Sequence, residues 1–382
     1  MLTVFCRDGA TLAPVGQLDH FTRLSLVERW CGVGRWVLDA PITAPGVDLF
    51  LSTADAGIVV QDDTTKRIVF SGPVGRGPDD APTIVRTVAE ENGTLGSNIQ
   101  IMGSCDNQWL ADRLAHPQPL TADPPYASQE HDVITGPATS VLLQLIDRNA
   151  GPSAVVARQV AGLTLAADPA QGTTITARAR WQNLLTYLAE LAVAGGAGFE
   201  VRQQNRVLTA TARVPRDLSA DVAFSLEFGN LAGFSYSVAS TAGTAVYVGG
   251  QGEGTARDIT VASTTGRRVE LFVDRRDLAD SDELDVAATV ALTEATGKTS
   301  LRIEPIDTDS ARYGRHYRLG DIVAAVVDGV RIIDTIQTVE TRVEGGQTTR
   351  TITIGREDLR GNPALYAGIA TLSRRVRQLE RI

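Results

Sequence analysis

The chain has 382 residues, 43% of them apolar, and a net charge of −9. That length allows two or three domains with real cores, the apolar content excludes a disordered chain, and the acidic balance argues against a nucleic-acid binder of the usual basic kind. Its 36 glycines, few aromatics and many Val, Ile and Thr residues predict a β-rich protein with many turns.

The N-terminus, Met1 to Arg7, reads directly as a strand and lacks the charged-then-apolar pattern of a signal peptide, so synthesis in a cytoplasm is expected. No apolar run approaches the roughly 20 residues that span a bilayer. Short strands are expected at Phe21 to Val27 and Gly34 to Leu38. A hairpin is expected from Gly57 to Gly72, turning at Asp62 to Thr65, and another from Ile84 to Met102, turning at Glu91 to Gly93. Such spacing suggests a sandwich or small barrel.

From Asp106 the period changes. Trp109, Leu110, Arg113 and Leu114 sit at helical spacing behind Asp106 as N-cap. The proline-rich loop through Pro117, Pro119, Pro124 and Pro125 marks a domain boundary. Amphipathic helices are expected at Thr139 to Arg148 and Trp181 to Val193, then strands at Phe199 to Gln203 and Val207 to Val214. Strands return at Ala223 to Phe228, Phe234 to Ala239, Ala245 to Gly249, Arg257 to Ala262 and Val269 to Val273. A helix at Asp282 to Thr296, capped by Asp280 with Glu283 three residues on, precedes a strand at Ser300 to Pro305.

Tyr317 to Gly355 reads as three antiparallel strands. Leu319-Gly320-Asp321 makes the tight turn into the first, and Asp328-Gly329 and Glu344-Gly345-Gly346 supply glycine where φ must be positive. Beyond Asn362-Pro363, Leu365, Ile369, Leu372, Val376 and Leu379 are spaced 4, 3, 4, 3, a short heptad seam suited to association or to packing on its own subunit.

Residues that could carry chemistry are scattered. Cys6, Cys31 and Cys105 have neither disulfide-framework nor zinc spacing and read as free thiols. His20, His116, His131 and His316 show no metal-ligand pattern, and no G-x-S-x-G elbow occurs. Gly249-Gly250-Gln251-Gly252-Glu253-Gly254 fails G-x-G-x-x-G because Thr255 stands at the last position. Strands flank it, so no helix N-terminus is offered to an anion, and it reads as a flexible hairpin loop. The acidic run Asp274, Asp277, Asp280, Asp282, Glu283 and Asp285 lacks the glycine of a calcium loop and suits a helix N-terminus instead. Glu304, Asp307 and Asp309 form a carboxylate group that would serve glycoside cleavage, or a solvated face. No catalytic, cofactor or metal site is expected.

Taken in order, several pieces resemble the tail-tip (baseplate) hub proteins of long-tailed actinobacterial phages, a family related to the N-terminal hub part of tail-associated lysins. They are Gly34 to Leu38, Phe70-Ser71-Gly72, Gly103 to Arg113, the Trp181 helix, Val246 to Gly254 with Arg257, and Tyr317-Arg318-Leu319-Gly320-Asp321 through Gly355. The resemblance implies a mainly β fold with an α+β insert: a tube-like β-barrel or sandwich domain at 1–115, an α+β module at 116–221, a second tube-like domain with one helix at 222–360, and an association helix at 361–382. It also implies a homotrimer whose six tube domains make a pseudo-sixfold ring that continues the tail tube. Implied partners are the distal tail protein ring, a tape-measure protein and further tail-tip or receptor-binding proteins, with genomic DNA passing through without sequence-specific binding. A carboxylate-lined lumen would repel that DNA. Lysin-type relatives continue into a peptidoglycan-cleaving domain where this chain ends at Ile382, so enzyme activity is not carried over. A cell-wall-degrading or glycan-binding tail component is the alternative. The expected location is the tail tip of the virion. The seam alone favours two strands in isolated coiled coils, so the β ring is expected to set the subunit number.

Overall fold

The computed structural model describes residues 2–355 apart from 54, 76–82, 92–93, 123–128, 239–240, 277, 279 and 297–298. The seam residues Leu365, Ile369, Leu372, Val376 and Leu379 lie outside them.

The first part of the chain contains β1 (Leu2–Arg7), β2 (Pro14–Leu18), β3 (Arg23–Arg29), β4 (Arg35–Pro41), α1 (Val47–Ser52), β5 (Gly57–Asp62), β6 (Ile68–Pro73), β7 (Ile84–Glu91) and β8 (Thr94–Ser104). One sheet runs β2-β1-β5-β6 and a second runs β3-β4-β8-β7. Between them lie Val4, Cys6, Leu24, Trp36, Leu38, Phe50, Ile58 and Phe70. Both expected hairpins form.

After the short α2 (Gln108–Ala111) comes the α+β module: β9 (Asp132–Pro137), α3 (Ala138–Asn149), β10 (Leu163–Leu165), β11 (Thr174–Ala179), α4 (Leu184–Gly195), β12 (Gly198–Gln204) and β13 (Val207–Arg213). Its core joins Val141, Leu142, Leu145, Leu184, Leu188, Leu191, Phe199 and Leu208. Helix α4 starts three residues later than its apolar pattern suggested. Trp181 has φ +64°, outside the helix, and the Asn183 side chain caps the first turn by accepting the Thr186 N–H.

The remainder comprises β14 (Ala223–Phe224), β15 (Leu231–Val238), β16 (Ala245–Gly249), β17 (Ile259–Ser263), β18 (Glu270–Asp274), α5 (Ser281–Ala295), β19 (Thr299–Pro305), β20 (Ile322–Val327), β21 (Val330–Glu344) and β22 (Gln347–Ile354). The strand expected to reach Phe228 stops at Phe224, and Leu226 to Gly229 form a turn. The meander β20-β21-β22 is present, with positive φ at Asp328, Gly329, Gly345 and Gly346. Asp280 caps α5 by accepting the Asp282 N–H. Helix α5 covers one face of a separate small sheet, β17-β16-β18, whose core is Val246, Val248, Leu278 and Leu284.

The two β parts share one sheet. Strand β21 pairs antiparallel with β3 from Thr338↔Arg29 to Glu344↔Arg23, giving a continuous run β15-β19-β22-β21-β3-β4-β8-β7. No helix among the described residues is long and apolar enough to cross a membrane.

Candidate functional site: a buried charged junction

The sequence-predicted site residues do not converge. Among the described residues no cluster of three or more His, Cys, Asp or Glu side chains could hold a metal. Asp274 pairs with Arg257 at 2.5 Å, Asp280 with Arg178 at 2.9 Å, and Arg350 stands 3.6 Å from Asp307. Cys6, Cys31 and Cys105 form no disulfide among the described residues, and burial pushes the Cys6 thiol up to about 11. The Gly249 to Gly254 loop is closed on itself. Arg257 donates to the carbonyls of Gly249 and Gly250, Gly252 and Gly254 have φ of +99° and +56°, and Gln251 N–H bonds Leu278 O.

What does converge is charge, where β12 and β13 meet the two β parts. The first cluster centres on Asp106. Instead of capping α2, which begins behind Asn107 without a side-chain cap, Asp106 is wholly buried and faces Arg7. Arg7 approaches it with both terminal nitrogens, at 2.5 and 3.2 Å, and also donates to Gln203 Oε1 at 2.6 Å. Ser71 Oγ donates to the same carboxylate and accepts the Gln203 N–H, so β1, β6, α2 and β12 are tied at one point. The cap reading failed because the partner lies 99 residues upstream.

The second cluster surrounds Arg202, which donates to Glu28 at 2.8 Å and Glu200 at 3.1 Å. Tyr313 OH donates to the other Glu28 oxygen at 2.9 Å, and the Arg350 guanidinium lies 4.7 Å over the Tyr313 ring. Burial raises Glu28 above the usual carboxylate range, against the pull of Arg202 and the Tyr313 hydroxyl. Glu200 goes the other way. Burial is the largest single influence on it, but Arg202, Arg213 and Arg318 together outweigh it and hold Glu200 below that range. A cavity of about 30 Å³ lies among Glu28, Ser71, Asn107, Glu200 and Arg202, the space of one water molecule.

The third cluster holds the turn at Leu319-Gly320-Asp321. Asp321 has 0% exposure and accepts from Arg213 Nη1, Arg216 Nε and Nη2, and the Arg318 N–H. Arg213 also lies 4.6 Å over the Trp30 ring. Gly320 has φ +79°, and a Cβ there would sit 2.3 Å from Trp30; one at Gly198 would sit 2.0 Å from the other side of the indole. Trp30, at the end of β3, is thus pinched between two glycines of different modules. Such approaches need residues without a side chain. The glycine in Leu-Gly-Asp was legible as a turn; that it also clears room for Trp30 was not, because the contact is nonlocal.

The arrangement is suited to holding three modules in one orientation. A β-rich body of this kind, two β parts fused through one sheet around an α+β module, is a phage tail-protein fold. The 43 kDa tail protein of prophage MuSo2 from Shewanella oneidensis is similar at 11% identity and TM-score 0.57, over 94% of this chain and 99% of that one. A tail protein from Neisseria meningitidis MC58 is similar at 12% identity and TM-score 0.54, over 94% and 98%. The chain belongs to the Siphovirus ReqiPepy6 Gp37-like protein family, whose model matches residues 3–356. No curated protein sequence matches it.

Proposed function

We propose that this protein is the structural hub of a phage tail tip. In this reading three copies close into a pseudo-sixfold ring that continues the tail tube, seats on the distal tail protein and lets DNA pass. The observation that carries it is the eight-strand run. Each β part gives four strands, β15-β19-β22-β21 and β3-β4-β8-β7, joined at β21–β3, and among the described residues β15 and β7 stand at the edges. Free edges expose rows of unpaired N–H and C=O groups that template pairing with another chain. A head-to-tail contact between two different edges makes a closed ring when its rotation closes.

The face of this run turned away from the cores supports a lumen. It carries Arg23, Arg29, Arg35, Arg302 and Arg342 against Asp39, Glu304, Glu340 and Glu344. Arg23–Asp39, Arg302–Glu340 and Arg342–Glu344 pair at 2.6, 2.7 and 2.6 Å. In place of a purely acidic lining, this reading has three pairs of neighbours that neutralise one another and so weaken the hold of the face on phosphate. Contacts to a tape-measure protein and to receptor-binding proteins would fall at the two rims, and the role is structural rather than enzymatic.

Mass photometry and negative-stain imaging of the purified chain test this. A three-chain ring is the expected species. A strict monomer at micromolar concentration that also ignores the distal tail protein would sink the reading.

A further inference from the structure

Ile84 and Val88 of β7 are 39 and 55% exposed, yet they lie on the face that carries the core, since Ile84 stands opposite Ile101 and Arg86 opposite Ile99. At the other end of the run, Phe234 and Tyr236 of β15 stand opposite Ile303 and Leu301 on the corresponding face and are only half-buried. Among the described residues each of these two strands pairs on one side only. Apolar side chains at such a margin have one open flank, and a further strand is the element that fits it.

Direction and hydrogen bonding restrict what can fit. Every pairing in the run is antiparallel, so the eight strands alternate and β15 and β7 run in opposite senses. Rotation about a ring axis keeps the sense of each strand, so β7 of one copy meets β15 of the next antiparallel. The Thr83 carbonyl accepts the Met102 N–H, which leaves the N–H groups of Arg86 and Val88 turned away from β8. The Trp30 N–H bonds Gln337 O, and the same alternation carried across β22 and β19 turns the N–H groups of Phe234 and Tyr236 away from β19. Both strands have eight residues.

We propose that Ile84–Glu91 of one copy pairs with Leu231–Val238 of the next in full overlap, with Val88 against Phe234, Thr87 against Ser235 and Arg86 against Tyr236. This register rests on the ring proposed above and adds to it which residues meet. Sliding by one residue would set core-side chains against outward ones, and sliding by two would leave six pairs in place of eight. In full overlap Val88 covers the Phe234 ring and the Arg86 guanidinium reaches the Tyr236 ring, so each open flank closes the other. The irregularity between Leu231 and Gly233 lies beyond these three pairs. The two margins of one chain match in length, sense and apolar character, which commits the surface to a second copy of this chain.

The test introduces Thr87→Cys with Ser235→Cys in the full chain. Their N–H groups turn toward their own sheets, so the two would form a close, non-hydrogen-bonded pair, with Cα atoms about 4.5 Å apart, within disulfide reach. Thr87→Cys with Gly233→Cys, displaced by two residues, is the control, and the parent with its three cysteines is the blank. Within one chain the two strands stand seven spacings apart along the sheet, roughly 33 Å, so a link between them joins two chains. Mild oxidation should link the Thr87–Ser235 pair at least ten-fold faster than the control and carry it to a covalent three-chain species. A three-chain ring by mass photometry that links the control pair as fast or faster, or links neither pair, would overturn the register and leave the ring standing. A chain that stays monomeric would remove the ring and the register together.

Discussion

Arg216 grips the fully buried carboxylate of Asp321 with two nitrogens, Nε at 3.1 Å and Nη2 at 2.5 Å, across 105 residues of sequence. The two ends are unequal, because Asp321 is sealed and Arg216 is 46% exposed. Asp321→Ala strands the largely buried Arg213 as well and should cost about 3–5 kcal/mol. Arg216→Ala leaves Arg213 and the Arg318 N–H on the carboxylate and should cost under about 1 kcal/mol. Urea denaturation of both variants checks the ranking; equal losses would mean the carboxylate is held mainly by groups other than Arg213.

Gly320→Ala tests the pinch on Trp30. A methyl group at φ +79° meets the indole at 2.3 Å, so the backbone or the ring must move. The expected loss is about 1–3 kcal/mol, with an altered tryptophan emission. A variant as stable as the parent, with unchanged emission, would show that the turn relaxes freely.

For Arg7 and Asp106, removing either partner leaves the other charge buried, so each single change to alanine should cost about 3–5 kcal/mol. Because the pair acts as a unit, the double change should fall short of the summed losses by more than about 1 kcal/mol. Additive losses in a double-mutant cycle would mean that Gln203 and Ser71, not the ion pair, dominate this point.

Glu28 sets a pH dependence. Its folded-state value is raised by burial, so between the unfolded value of about 4.3 and the raised one the folded chain holds a proton that the unfolded chain has released. This contribution is fully present at low pH and is lost as pH rises through the folded value. Relative to Glu28→Gln, the parent should gain melting temperature as pH falls from 7 to 4.5. A gap that stays flat or moves the other way would reverse the assigned direction.

Arg86→Pro probes the β7 edge. The Thr83 carbonyl accepts the Met102 N–H, so by alternation the Arg86 N–H faces away from β8, and proline there removes an edge donor without touching the β7–β8 ladder. Loss of the three-chain species with a nearly unchanged monomer melt is the expected result. A ring that persists would exclude this edge as the contact.

The local signals were read well where chemistry is local. Asp328-Gly329 and Gly345-Gly346 announced the meander, and Asp280 announced α5. Strands β2 and β9 contain proline and glycine and β10 has only three residues, which left them illegible, whereas β11, Thr174–Ala179, does alternate and was missed all the same. The junction was illegible for another reason. Arg7, Glu28, Asp106 and Asp321 look like ordinary surface charges until partners 99, 174 and 105 residues away arrive. Likewise nothing in β3 announces β21, since an open strand edge has no sequence signature of its mate.

That last pairing carries a consequence for timing. Strand β3 waits for β21, which is made about 300 residues later, and such long-range contacts form slowly because loop closure precedes any gain. A nascent chain on the ribosome therefore holds the first β part with two unsatisfied margins, β3 and β7, and must keep both from meeting a neighbour. Completion of the shared sheet is the step at which the β3 margin vanishes, so the first β part is fully paired on that side only once the last strands of the chain have been made.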